Sequence, residues 1–591
     1  MTAQTTHSGS VAPPAVTLTD STPRTVRHGA VLIPSAVLAV LFVLCVAVFP
    51  NQFGDLVGAV NATVVDSIGW YYVLLTIGFV FFALYVGLSR WGDVRLGPDD
   101  SEPDYSAGSW FAMLFAAGMG IGLVFWGVAE PLNHLATPPP GTDPATPAQA
   151  ASGAMATTFL HWGLHAWAIY VVVGLAIALA VHRRGRPISI RWALEPILGS
   201  RVRGRVGDVI DTVAVISTIF GVASSLGLGV MQIAAGAEFL GLIESAENVT
   251  FLLVVVVVVT GMALGSAVSG VDRGIKMLSN GNLVLAAVLL LAVFVLGPSL
   301  FIAREFVQNI GAYAQNFVHL SFRTFAYQGD DGAAWMSSWT TYYWGWWMAW
   351  SPFVGIFIAR ISRGRTVREF VAGVLLAPTL IAMLWFSVLG GSAIHRQFFG
   401  SGDLVGADGS VDTNSALFAL VEGLPGASIM AGLFILLIVI FFVTSADSGA
   451  FVVAMLSTEG DPNPPVWTRA FWAAGSGAVA AVLLWAGAAQ GSLAAGLTTI
   501  QIVTIVVAAP FSVIMILLCL ATTRTLHSDH QRRLRREAAV FRRELQADVV
   551  EAVRSDPATG PLPTVGRAPG NGARGLSMVF RFRGPSQRAS G

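Results

Sequence analysis

The sequence predicts an all-α polytopic membrane protein with twelve transmembrane helices, and three observations lead there. Hydrophobic residues fill 54% of the 591 positions and charged residues only 12%, against roughly a quarter charged in soluble proteins. Mean hydropathy is +0.68. Apolar windows of about 20 residues, the length that crosses a bilayer, recur near 30–49, 69–89, 108–128, 155–181, 208–238, 250–268, 280–303, 337–360, 370–391, 428–456, 468–487 and 492–521. The loops between them also differ in basic charge. Arg183, Arg184, Arg186, Arg191, Arg201, Arg203 and Arg205 follow the fourth window, Arg363, Arg365 and Arg368 the eighth, and Arg532, Arg533, Arg535 and Arg536 the last. The stretch from Asn133 to Ala151 after the third has only a histidine. Basic loops stay on the cytoplasmic side, so both termini are expected there. Net charge is zero and by itself says nothing about nucleic acid; as a membrane protein the chain is expected to have no nucleic-acid partner.

Taken in order, residues 1–28 are Thr-, Ser- and Pro-rich and read as a disordered cytoplasmic tail, with no cleavable signal peptide expected ahead of the first span. Cys45 and Cys519 lie inside apolar spans and read as small core residues, not a disulfide framework. The third span holds Gly118-Met119-Gly120-Ile121-Gly122. Each glycine destabilises a helix by about 1 kcal/mol relative to alanine. Two glycines four apart ordinarily serve close helix packing. Three on alternate positions predict a broken helix, whose freed backbone groups can bind ions and anions where they line a cavity.

The fourth span carries His161-Trp162 and then Ala166-Trp167-Ala168-Ile169-Tyr170. At about 100° per residue on one continuous helix, Trp162, Tyr170 and Trp167 fall near ~0°, ~80° and ~140°, one broad aromatic face. Such residues more often anchor or pack. His161 and His165, four apart, could share a metal, but packing is the preferred reading. Span five offers a polar track of Ser217, Thr218, Ser224 and Ser225. Between spans seven and eight, Phe306, Ile310, Tyr313, Phe317 and Leu320 recur at helical spacing. That amphipathic helix lies along the outer membrane surface, against a neighbouring subunit, or on its own chain.

Six of the seventeen tryptophans fall between Trp335 and Trp350. On a helix Trp346, Trp347 and Trp350 sit near ~0°, ~100° and ~40°. Two readings stand: bulky packing or an interfacial belt, or a cage for a quaternary ammonium, which indole faces attract. Span ten contains Phe441-Phe442-Val443-Thr444-Ser445-Ala446-Asp447-Ser448. Its hydroxyls can bond back to their own helix or offer oxygens to a small hard cation, and Asp447 is a functional candidate because intramembrane carboxylates are costly. Residues 523–591 form a charged cytoplasmic tail, helical from Gln531 to Arg554, basic first and then more acidic (Glu544, Asp548, Glu551). It is a solvated helix or a regulatory one drawn to anionic lipid. Lys276 is the one lysine, a bias that hints at a GC-rich bacterial genome.

Four stretches, GMGIGLVFWGVAEPL at 118–132, HWGLHAWAIY at 161–170, WGWWMAWSPFVGIFIARISRGRTVREF at 344–370 and FFVTSADSGA at 441–450, resemble the betaine/choline/carnitine transporter (BCCT) family, most closely its sodium-coupled glycine-betaine carriers. The resemblance implies a LeuT-like core of two inverted five-helix repeats, spans 3–7 and 8–12, after two N-terminal helices within a 29–522 transporter domain. It implies a homotrimer in the bacterial inner membrane. It also implies a box of Trp162, Trp167, Tyr170 and Trp347 around a trimethylammonium group, with Trp346 and Trp350 along the path toward the cytoplasm. The backbone of Gly118, Gly120 and Gly122 would face the substrate carboxylate. Sodium, the coupling ion, would bind the carbonyls of Ala116, Met119 and Phe441 and the hydroxyls of Thr444 and Ser445. No other cofactor is implied. A second sodium site would use Thr218 and Phe353, but Val222 stands where relatives carry a threonine. Relatives that take choline with protons often have an acid where this chain has Gly122.

The classes then separate. A membrane enzyme would need a nucleophile or metal cluster, a channel a repeated pore-lining pattern, and direct ATP-driven uptake a Walker A motif. A secondary transporter accounts for the broken helix, the aromatic faces and the intramembrane hydroxyls together. The expected activity is sodium symport of a compatible solute, glycine betaine first, with choline, carnitine or ectoine uptake, or proton coupling, as the alternatives.

Overall fold

The computed structural model describes residues 29–118, 120–269, 272–489 and 493–555, and every regular element among them is helical. The opening helices are α1 (Leu32–Val48), α2 (Pro50–Leu88), α3 (Ala107–Gly118), α4 (Ile121–Ala136), α5 (Pro147–Trp162) and α6 (Leu164–Ala178). A π-turn at Leu179–Arg183 follows, then the short α7 (Ile190–Ala193) and α8 (Glu195–Leu198) and a 3₁₀ turn. Next come α9 (Arg205–Phe239), α10 (Val249–Ser269), α11 (Asp272–Leu296), α12 (Ser299–Ser321), α13 (Gly329–Ser338), α14 (Thr340–Ile361) and α15 (Val367–Phe399). The series ends with α16 (Ala416–Glu422), α17 (Ala427–Ser457), α18 (Val466–Ala489) and α19 (Leu493–Ser555). The chain forms two units, one ending at Ser528 and one beginning at Asp529. In the second, residues 532–552 are exposed helix laced by Arg533–Glu537 at 2.8 Å.

Among the described residues nine helices are long and apolar enough to cross a membrane, or ten if the pair α1 and Pro50–Val60, bent by 112°, counts as one span. The broken third span and the tryptophan-bearing α14 lie outside that set. Three expected spans differ in shape. The seventh ends at Leu296 instead of 303, because Gly297 and Pro298 stop α11 and Pro298 caps α12. Proline has no amide to continue a helix. The fourth is two helices meeting at Gly163 (φ −93°, ψ −139°). The second starts with a helical stretch, from Pro50, that the apolar windows did not include.

The amphipathic segment is α12, and it packs on its own chain. Tyr313 is buried and meets Phe159 of α5 edge-to-face at 6.3 Å, while Phe317 lies 5.2 Å from the His165 ring. Its other side keeps Leu300, Val307 and Val318 exposed.

The loops that follow α2 and α14 meet at one end of the bundle. Leu96 N–H donates to Arg365 O (2.8 Å), Gly364 N–H to Leu96 O (2.9 Å) and Val367 N–H to Val94 O (2.9 Å). Arg183 pairs there with Asp99 at 2.9 Å and Arg363 with Asp104 at 3.4 Å, so arginines from the loops after the fourth and eighth spans lie at this end. Thr366 and Glu369 close a capping box that starts α15. Between the ends, glycines let helices touch: a Cβ on Gly373 would enter the Trp110 ring, and one on Gly390 would lie 2.5 Å from Pro131 Cγ.

Candidate functional site

The glycine-rich stretch breaks the third span as its spacing predicts. α3 stops at Gly118, Gly120 is extended (φ −154°, ψ −177°), and α4 begins at Ile121. Met119, one of the expected sodium ligands, lies outside the described residues, and Ala116 and Gly118 are described only as backbone of α3.

Three aromatic rings stand over the break, and Gly122 makes room for two of them. A Cβ on Gly122 would run into the Trp346 ring and lie 3.1 Å from Trp162 Cη2; one on Gly120 would lie 3.8 Å from Trp350 Cη2. The predicted aromatic residues gather around this point. Trp162 and Trp347 meet edge-to-face at 4.9 Å, Tyr170 and Trp347 at 6.3 Å, and Trp167 and Tyr170 at 5.3 Å. Trp346 stacks on Trp347 at 4.8 Å with planes 13° apart, and Trp350 reaches Phe353 at 5.3 Å. The expected face on span four thus exists, although the wheel that placed it assumed an unbroken helix. Gly163 separates Trp162 on α5 from Trp167 and Tyr170 on α6, so tertiary packing, not one helical stripe, unites them.

Behind these rings is a residue the sequence reading passed over. Glu130 of α4 is fully buried, and its carboxylate gathers partners from its own helix and two others. Trp162 Nε1–H donates to Oε2 at 2.6 Å and Tyr343 O–H to the same oxygen at 2.5 Å. His161 Nδ1 lies 2.7 Å from Oε1 and His134 Nε2 3.3 Å. His161 Nε2 is 3.0 Å from Thr340 Oγ1, and its backbone carbonyl accepts from Trp347 Nε1–H at 2.9 Å. The signal was legible: Glu130 is an acid inside the quoted GVAEPL segment, and intramembrane acids are functional candidates by default.

Among the described residues no third ligand joins His161 and His165. His165 stacks on Trp344 at 5.4 Å. The residues that do converge are Glu130, His134 and His161, whose ligating atoms lie within 4.8 Å of one another. The Glu130 oxygens also accept from Trp162 and Tyr343, which ties this cluster to the aromatic rings.

The expected sodium residues sit on α17 and α9. Thr444 Oγ1 donates to Ile440 O at 2.8 Å and approaches Phe441 O at 3.3 Å; Thr444, Ser445 and Asp447 are half-buried. A donating hydroxyl still has lone pairs, so an oxygen set of carbonyls and hydroxyls suits a hard cation. On α9, Thr218 bonds back to Ala214 O at 2.8 Å. Val222 is buried against α17, its Cγ2 2.9 Å from where a Gly449 Cβ would stand. The two serines that might replace its missing oxygen turn to α19 instead. Ser217 Oγ–H reaches Val507 O at 3.4 Å, and Ser224 Oγ pairs with Thr504 Oγ1 at 2.5 Å.

Comparison with known proteins adds to this geometry. The model of the BCCT, betaine/carnitine/choline family transporter, matches residues 30–531. An uncharacterized transporter of Mycobacterium tuberculosis is 49% identical over 502 residues, covering 85% of this chain and 83% of that protein. A glycine betaine transporter of Acinetobacter baylyi is 42% identical over 84% of this chain and 73% of its own length. The glycine betaine transporter OpuD of Bacillus subtilis is 43% identical over 83% and 92%.

Proposed function

The chain belongs to the betaine/carnitine/choline transporter family, and from that premise we propose that it takes up a quaternary-ammonium zwitterion, glycine betaine, by sodium symport across a bacterial plasma membrane. One observation carries the reading. Trp162, Trp347, Tyr170 and Trp346 cluster beside the helix break, so π faces and the N-terminal end of a half-helix sit side by side. A trimethylammonium group has no hydrogen to donate and is held by indole and phenol faces. A carboxylate is held by N–H groups at the start of a half-helix, here α4. Relatives called glycine betaine transporters support the same solute.

Sodium is co-substrate in this scheme. The carbonyls of Ala116, Met119 and Phe441 and the hydroxyls of Thr444 and Ser445 would bind it, tying the break in span three to α17. As the ion binds, it favours the arrangement in which the break and α17 are close, and solute then meets a formed site. Both termini on the cytoplasmic side, the inverted repeats and a homotrimer belong to the proposal, supported by the arginine-rich loops and the family resemblance.

Uptake of radiolabelled glycine betaine into sealed proteoliposomes tests it. Accumulation above the equilibrium level under an inward sodium gradient is expected, with loss when the gradient is collapsed. Unlabelled betaine should compete better than choline, carnitine, ectoine or proline. Greater accumulation of choline would overturn the solute assignment. The buried Glu130–His161–His134 cluster favours one second reading, proton coupling. That reading gains if accumulation follows a pH gradient with sodium absent.

A further inference from the structure

The transport scheme uses the Trp162 ring but leaves Glu130 without a task. A buried carboxylate is costly, and this one is aimed with care: the indole N–H of Trp162 and the phenol of Tyr343 share Oε2 at 2.6 and 2.5 Å. An indole nitrogen can only donate, so Oε2 is its acceptor. A carboxyl oxygen that accepts two donors in low-dielectric surroundings makes stronger hydrogen bonds than it would in water. Such a bond draws the N–H proton outward and leaves electron density on the ring. The negative potential of a ring face is what attracts a cation.

We propose that Glu130 is a specificity-determining residue: through the Trp162 N–H bond its carboxylate enriches the indole face, so that the site favours a quaternary ammonium over the same shape without charge. This rests on the reading that the Trp162 face contacts the ammonium group. A carboxylate that merely held the ring in place would support both shapes equally.

The test compares glycine betaine with 3,3-dimethylbutanoate, its isostere in which carbon replaces the charged nitrogen. Dissociation constants come from tryptophan-fluorescence titration of the full-length protein in nanodiscs. Wild type should bind betaine far more tightly. Glu130→Gln should shrink the ratio of the two constants at least tenfold. In a Trp162→Phe background, which keeps a ring but has no N–H, the same substitution should move the ratio less than twofold. An unchanged ratio in Glu130→Gln, with both ligands weakened alike, overturns the proposal and leaves the betaine reading standing. A full effect persisting without the indole N–H also overturns it. Tyr343→Phe serves if Glu130→Gln does not fold: Trp162 then has Oε2 to itself, so discrimination should rise, and a fall or no change counts against the idea. Wild type that fails to bind betaine at all removes the reading and this inference together.

Discussion

At the scale of single residues, the roles of the clustered tryptophans divide by their ring nitrogens. Trp162 and Trp347 are each held by a hydrogen bond, to Glu130 and to the His161 carbonyl. Trp346 is buried with its Nε1 unbonded and is held by stacking on Trp347 and Tyr342. Trp347→Leu keeps bulk but loses the π face. With desolvated cation–π contacts worth about 2 kcal/mol, the half-saturation constant for betaine should rise roughly 30-fold while the protein stays folded. An unchanged constant would reduce Trp347 to packing. Gly122 is constrained from the other side, since any Cβ there displaces the Trp346 ring. An acid at this position would therefore alter the site's shape as well as its charge.

At the scale of elements, the contact between α9 and α17 bears on the proposed sodium stoichiometry. Val222 fills the space opposite Gly449, and Ser217 and Ser224 are spent on α19. A hard cation gains nothing from a methyl group, and losing one oxygen from a small set weakens it substantially. The expected stoichiometry is one sodium per betaine, read from the reversal potential at set gradients; a two-to-one ratio would mean another group supplies the oxygen. The segment after α15 makes a separate prediction. Asp403 is clasped by Arg396 at 2.5 Å, and that hydrogen bond draws its carboxyl down to about 2, below the ordinary value of about 3.9. A lowered folded value means the pair stabilises above pH ~4 and is lost as pH falls through about 2. Asp403 is nearly half exposed, so the gain is at most about 1 kcal/mol. The thermal-stability advantage of wild type over Asp403→Asn should be flat from neutral pH to about 4 and shrink below it. An advantage that persists to pH 2 would disprove the pairing.

At the scale of the molecule, residues 532–552 of the unit that begins at Asp529 are a charged, exposed helix. A cationic helix is drawn to anionic lipid by roughly 1 kcal/mol per basic residue, less as salt rises, which would make it a sensor of ionic strength. Truncation after His527 is expected to spare basal uptake and flatten its response to osmolality. An intact osmotic response would leave the tail a solvated appendage.

Class, most span positions and the broken third helix follow from the sequence alone, because apolar length and glycine spacing act locally through backbone hydrogen bonding and need no partner. The aromatic residues were legible too, since tryptophan at such density inside a span has few explanations. What tertiary structure decided is everything that depends on a neighbour. Gly163 turns one predicted helix into two, yet Trp162, Trp167 and Tyr170 meet around Trp347 because α14 packs against both. His161 and His165 share helical spacing but not partners: His165 stacks on Trp344, whereas Glu130, 31 residues before His161, bonds to it. Ser224 looked like a spare ligand until α19 claimed it. Side chains on different helices find each other through packing geometry, and no local pattern along the chain encodes those distances.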